Sequence, residues 1–182
     1  MFAKKLADMV KSNGNKLTTG FVGTPYLLHV LSDNGYSELA YTLLLQTEYP
    51  SWLYPITKGA TTIWEHWDGV KPDGSFWSSD MNSFNHYAYG AVGDWMYGAA
   101  AGIRTDETAP GFRHAVIKPA VTERLDHLEA SIETRFGTLS SGWRRAGGRV
   151  SYTVVVPPGC TATVILGEAV HEVGSGEFHW EM

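Results

Sequence analysis

Hydrophobic periodicity changes once along this 182-residue chain, near Thr105, and that change limits what the chain can fold into. Before it, apolar residues recur at helical spacing; after it, they alternate as in strands. Phe2 to Asn13 reads as an amphipathic helix, with Phe2, Leu6, Met9 and Val10 on one side and Gly14 as its stop. Thr24 is the expected cap of the next helix, with Pro25 at its first position and Tyr26, Leu27, Val30 and Leu31 as its apolar face. Ser37 is expected to cap a third helix that buries Leu39, Ala40, Leu43 and Leu44, and a short helix is expected within Ser51 to Gly59. A longer helix is predicted from about Asn82 to Ile103. There Phe84, Tyr87, Ala88, Ala91, Val92, Trp95, Met96 and Ala99 repeat at i, i+3, i+4. Short connections between successive helices predict antiparallel neighbours.

Beyond the linker-like turn Thr108-Ala109-Pro110-Gly111, strand signals dominate. Ala115 to Ile117, Glu129 to Phe136, Leu139 to Arg144, Val150 to Val156 and Ala162 to Leu166 read as strands. Phe136-Gly137-Thr138 and Ala146-Gly147-Gly148 read as hairpin turns, and Glu168 to Met182 as one last strand. This part is predicted to form a small antiparallel sandwich without site chemistry of its own.

Hydrophobic residues at 43% and charged residues at 18% describe a chain able to bury a core rather than a disordered one. A net charge of −5 and the absence of a basic stripe argue against nucleic acid or an anionic membrane surface as a partner. No apolar run is long enough for a transmembrane helix. Cys160 is the single cysteine, so no intrachain disulfide is available, and no metal-binding or phosphate-loop motif occurs. No cofactor is expected, and nothing here fixes a compartment.

The chemistry-bearing stretch is GATTIWEHWDG, then VKPDGSFWSSD, then MNSFNHYAYGAVGDWMYGAAAG. It sets Glu65 between Trp64 and Trp67, with His66 and Asp68 alongside. Indole faces pack on the C–H face of a sugar ring, and a carboxylate beside them can exchange a proton at the anomeric centre. The competing reading makes both tryptophans core residues and Glu65 a solvated side chain. Asp68 reads best as an acceptor for the N–H groups of its own turn. His86 falls in the first turn of the predicted long helix.

These blocks closely resemble the end of the catalytic domain of bacterial α-L-rhamnosidases, glycoside hydrolases of family 78. GFRHAVIKPAV and the Gly-rich tail resemble that family's C-terminal sandwich. The resemblance implies a fold in the α+β class: part of an (α/α)6 barrel over residues 1–105, then an antiparallel β-sandwich accessory domain over 106–182. It implies an inverting hydrolase of terminal α-L-rhamnosides with Glu65 as general base, His86 on the sugar, and Trp64 and Trp67 shaping the pocket. Family members are several times longer, and their general acid lies upstream. The chain is therefore expected to be a C-terminal fragment, inactive alone. Its expected partners are a rhamnose-containing glycoside, the missing N-terminal part and, through exposed helix faces, other copies of itself. A non-catalytic carbohydrate-binding module, or another glycoside hydrolase on the same barrel, would use the same aromatic residues.

Overall fold

The computed structural model describes residues 2–182, which divide into two compact units, one ending at Gly93 and the other running from Asp94 to Met182.

The first unit is built from α1 (Phe2–Ser12), α2 (Thr24–Asp33), α3 (Ser37–Leu44) and the short α4 (Leu53–Thr57). Ala7 and Val10 of α1, Leu27, Leu28 and Leu31 of α2, and Leu39, Ala40, Tyr41 and Leu43 of α3 form its buried helical layer. The buried stripe of α2 is displaced by one position from the predicted one. Leu28 is buried, while Tyr26 is 67% and Val30 39% exposed. Nor does Thr24 cap the helix. Gly23 holds that position, and the Thr24 hydroxyl turns back to the Gly20 carbonyl at 2.8 Å. In α3 the cap is likewise one residue early, at Tyr36, whose carbonyl receives the Leu39 and Ala40 amides.

The predicted long helix is not one helix. Residues 82–87 are irregular; a 3₁₀ turn (Ala88–Ala91), α5 (Val92–Trp95) and a π turn (Met96–Ala100) then follow one another. Each class winds at its own pitch, so side chains drift off a fixed 3.6-residue stripe. Tyr87, in the irregular lead-in, is 89% exposed, whereas Trp95 is 1% exposed.

The second unit holds eight strands in two sheets. Strand β1 (Ile103–Thr105), β2 (His114–Ile117), β6 (Thr161–Leu166) and β7 (Ala169–Val173) form one in that order. Strands β3 (His127–Thr134), β4 (Gly137–Ala146), β5 (Arg149–Val156) and β8 (Gly176–Glu181) form the other. Alternate residues of both sheets, among them Ile117, Leu139, Trp143, Val154, Val164 and Leu166, meet in one core. The sandwich is antiparallel except at β2–β6, which run parallel. Parallel neighbours need a long crossover, and strands β3 to β5 of the opposite sheet supply it.

Gly147 and Gly148 form the two-residue loop between β4 and β5, with φ of +58° and +81°. A type I′ turn requires positive φ at both positions, which glycine adopts without strain. The preceding turn is Arg135-Phe136, one residue earlier than predicted, since Thr134 pairs with Gly137. The single strand expected in Glu168 to Met182 is two, β7 and β8, which serve different sheets. Strand β1 was hidden at the end of the predicted long helix. Gly102, at φ +75°, turns the chain into it and accepts the Lys118 amide at 2.9 Å.

Candidate active site

Residues 62–65 and 83–86, some twenty positions apart in sequence, lie side by side. The Glu65 amide donates to the Ser83 carbonyl at 3.0 Å and the His86 amide to the Ile63 carbonyl at 2.8 Å. The Thr62 hydroxyl donates to the Phe84 carbonyl. This short ladder brings the two signature blocks together. His86 therefore stands on an irregular, strand-like segment, not in the first turn of a helix.

The Gly69 turn fixes the other end of the acid block. The Asn82 side-chain Nδ2 donates to the Gly69 carbonyl at 2.7 Å and the Trp77 backbone amide to the same atom at 3.2 Å. A β-carbon at Gly69 would come within 2.9 Å of the Trp64 ring, so glycine is what lets the turn close over that indole.

Around Glu65 the rings form an ordered wall. Trp67 lies flat on Tyr89, with 3.8 Å between centroids and 13° between planes, and meets Trp52 edge-on. The Trp67 indole N–H donates to the Thr19 carbonyl, and that of Trp52 to the Tyr89 carbonyl. Trp64 is buried against Phe84. The His86 ring is stacked on Phe21 at 5.0 Å, and its Nδ1 accepts the Ala88 amide. That bond leaves Nε2 as the protonated nitrogen of the neutral ring.

One Glu65 oxygen, Oε1, lies 4.0 Å from His66 Nε2; the other, Oε2, is buried and has no hydrogen-bond partner in the protein. A buried carboxylate oxygen without a donor calls for one from outside the chain. Asp68 accepts none of the turn amides predicted for it, because the Gly69 amide donates to the His66 carbonyl instead. Its charge is felt by Tyr89. Burial first, then the Asp68 and Glu65 carboxylates, push that phenol above its ordinary value.

A cleft of about 330 Å³ runs along the ring wall, lined in part by Trp52, Ile63, Trp64, His66, Trp67 and Tyr89. Glu65 and His86 do not line it. Of the predicted site residues, Trp64 and Trp67 face this cleft, while Glu65 and His86 sit on the paired ladder beside it. Sequence reasoning missed Tyr89, Phe21 and Thr19. Phe21 and Thr19 lie in what reads as a plain connection, and only an aromatic residue in a loop hinted at more. Among the described residues no group of three or more His, Cys, Asp or Glu is placed to hold a metal ion. Among the described residues no helix is long and apolar enough to cross a membrane.

The helical unit, with its carboxylate beside stacked aromatic rings, and the sandwich that follows it belong to one class of proteins, the six-hairpin glycosidases. Residues 1–100 match the model of the bacterial alpha-L-rhamnosidase 6 hairpin glycosidase domain, and residues 102–179 that of the bacterial alpha-L-rhamnosidase C-terminal domain. The chain belongs to this bacterial α-L-rhamnosidase family. An α-L-rhamnosidase from Streptomyces avermitilis is 42% identical over 96% of this chain and 19% of its own length. The crystal structure of the S. avermitilis enzyme complexed with L-rhamnose superposes with a TM-score of 0.93 at 41% identity, covering 99% of this chain and 19% of that one. The native enzyme of Aspergillus terreus gives 0.94 at 39% identity, over 98% of this chain and 21% of its own. The chain thus spans about a fifth of the length of the relatives it matches.

Proposed function

We propose that this chain is the C-terminal portion of an inverting α-L-rhamnosidase that hydrolyses terminal α-L-rhamnosides, with Glu65 as the general base. The buried, unpartnered Oε2 of Glu65 carries the reading. Water at that oxygen would give up a proton to the carboxylate as its own oxygen bonds to the anomeric carbon. The glycosidic C–O bond breaks in the same step, and the leaving oxygen takes a proton from an acid outside these residues. Inversion places base and acid about 6.5–9.5 Å apart, with room for the water between them. Trp64 and Trp67 shape the pocket, held by Phe84, Tyr89 and Trp52. His86, its ring fixed by Phe21 and the Ala88 amide, has Nε2 free to donate to a sugar hydroxyl. The sandwich serves as an accessory domain.

The test is Glu65→Gln in the complete enzyme. Glutamine keeps the shape but cannot take the proton. Turnover of an aryl rhamnoside should fall by about 10²–10⁴-fold with little change in substrate binding. Near-normal turnover would remove Glu65 from the role, and a complete protein that binds rhamnosides but turns none over even with Glu65 in place would favour a lectin-like module instead.

A further inference from the structure

Gly142 lies in the middle of β4, flanked by Glu129 of β3 and Thr153 of β5 in an uninterrupted register without a bulge. Its φ lies outside the left-handed region. A β-carbon built there would meet only ordinary contacts, the nearest being Glu129 Cγ and the Leu128 carbonyl oxygen at 3.4 Å. Neither backbone conformation nor internal packing therefore demands glycine, although glycine weakens a strand interior. With no bulge or bend to account for it, close approach of a ligand is the remaining use of such a residue.

Above it the outer face of the sheet dips into a depression of about 180 Å³, whose polar lining is His127, Glu129, Ser140, Arg144, Ser151 and Thr153. Several other charges on and beside this sheet are paired, Arg149 with Glu181 at 2.9 Å, His179 with Glu177 at 3.2 Å and Arg145 with Glu123 at 3.5 Å, while Glu133 takes the Thr138 hydroxyl and Arg135 lies over the Phe136 ring. His127, Glu129 and Arg144 make no ion pair among the described residues. They lie together on the face, His127 directly opposite Arg144 and Glu129 opposite Gly142.

We propose that this depression binds a single sugar residue carrying a carboxylate, a hexuronate, with the Arg144 guanidinium on the carboxylate and Glu129 accepting from a ring hydroxyl. The space suits one ring rather than a chain. The Ser140 hydroxyl can both donate and accept, as a polyol requires, while the hydroxyls of Ser151, which donates to the Arg144 carbonyl, and Thr153, which bonds His179 Nδ1, keep acceptor capacity. A neutral sugar normally needs an exposed aromatic platform, and the depression offers none, since Trp143 beneath it is 2% exposed. Its unpaired guanidinium instead matches the planar, bidentate geometry of a carboxylate. The site lies wholly within the sandwich and is independent of the rhamnoside reading.

The experiment is a titration of the ¹⁵N-labelled 182-residue chain with D-glucuronate and, separately, D-glucose, followed by amide NMR. Glucuronate should shift the Gly142 and Thr153 amides saturably, and glucose should not. Arg144→Gln, a surface change, should weaken glucuronate binding by about tenfold or more, the worth of a charge-assisted contact. Gly142→Val should abolish binding by filling the floor, with the dispersed spectrum reporting that the sandwich is intact. The absence of a saturable shift, an equal response to glucose, or unchanged affinity in Arg144→Gln would each overturn the proposal.

Discussion

The imidazole of His66 lies flat on the indole of Trp77, with 3.6 Å between ring centroids and 9° between planes. His66 directly follows Glu65 and reaches its Oε1, so Trp77 fixes the orientation of the group nearest the proposed base. Replacement of Trp77 by Ala should let the His66 ring rotate. The His66 ring protons, shifted upfield by the indole, should then move toward random-coil positions in the NMR spectrum. The amides of β4 and β5 should stay where they are. Unmoved His66 signals would show that the stack does not hold the ring.

In the complete enzyme His86→Ala should weaken rhamnose binding more than it changes the pH profile of turnover. The ring is held by Phe21 and the Ala88 amide and presents Nε2 as a donor, a binding role rather than a proton-carrying one. Calorimetric titration with rhamnose checks it, and an unchanged dissociation constant contradicts it.

The 182-residue chain alone should not hydrolyse rhamnosides, because inversion needs two carboxyl groups and a missing acid forfeits about 10²–10⁴-fold in rate. It should also self-associate. The apolar faces Leu27–Leu31 of α2 and Leu39–Leu44 of α3, which a barrel fragment would be expected to leave without partners, are largely buried. Phe2 at 85%, Val22 at 86% and Tyr26 at 67% exposed take their place as candidates. Light scattering on the purified chain decides the second claim, and an activity assay the first.

Alkali should destabilise the helical unit before the sandwich. Burial, with Glu38 adding, raises the phenol of Tyr41 far above its ordinary value. Burial, with the Asp68 charge adding, raises those of Tyr49, Tyr54 and Tyr89. In the sandwich only Tyr152 is raised among the described residues, by burial alone. A raised phenol favours the neutral form in the fold. Its stabilising share is therefore complete below the ordinary tyrosine value near pH 10 and is lost as the pH climbs through the folded value. Helical circular dichroism should fall together with the rise of tyrosinate absorbance above about pH 10, while the sandwich amides persist.

The sandwich was legible because alternation is a local signal. Val150 to Val156 reads as β5 nearly to the residue, and Gly147-Gly148 marks its own turn. The helical unit was legible in outline and shifted in detail. Tyr26 is apolar, yet its surroundings leave it in solvent, and periodicity alone cannot tell a face that meets a neighbour from one that does not. Glu65 and its tryptophans stand together in sequence and could be found. The pairing of residues 62–65 with 83–86 is a contact across an irregular loop, which no local pattern encodes. Strand β1 was lost because Gly102 reads as one more glycine of a helix, when its positive φ ends that helix.

The π turn at Met96–Ala100 bears on which lesions the chain tolerates. Its Ala101 amide reaches back five residues to the Met96 carbonyl at 2.9 Å, so the turn carries one residue more than an α-turn closing on the same acceptor. A one-residue deletion in an ordinary helix rotates everything beyond it by about 100°. Removal of Tyr97, which is 45% exposed, would instead let the amide of Ala101 close an ordinary α-turn on the same carbonyl. This turn is thus the place where the helical run can lose a residue without losing its phase.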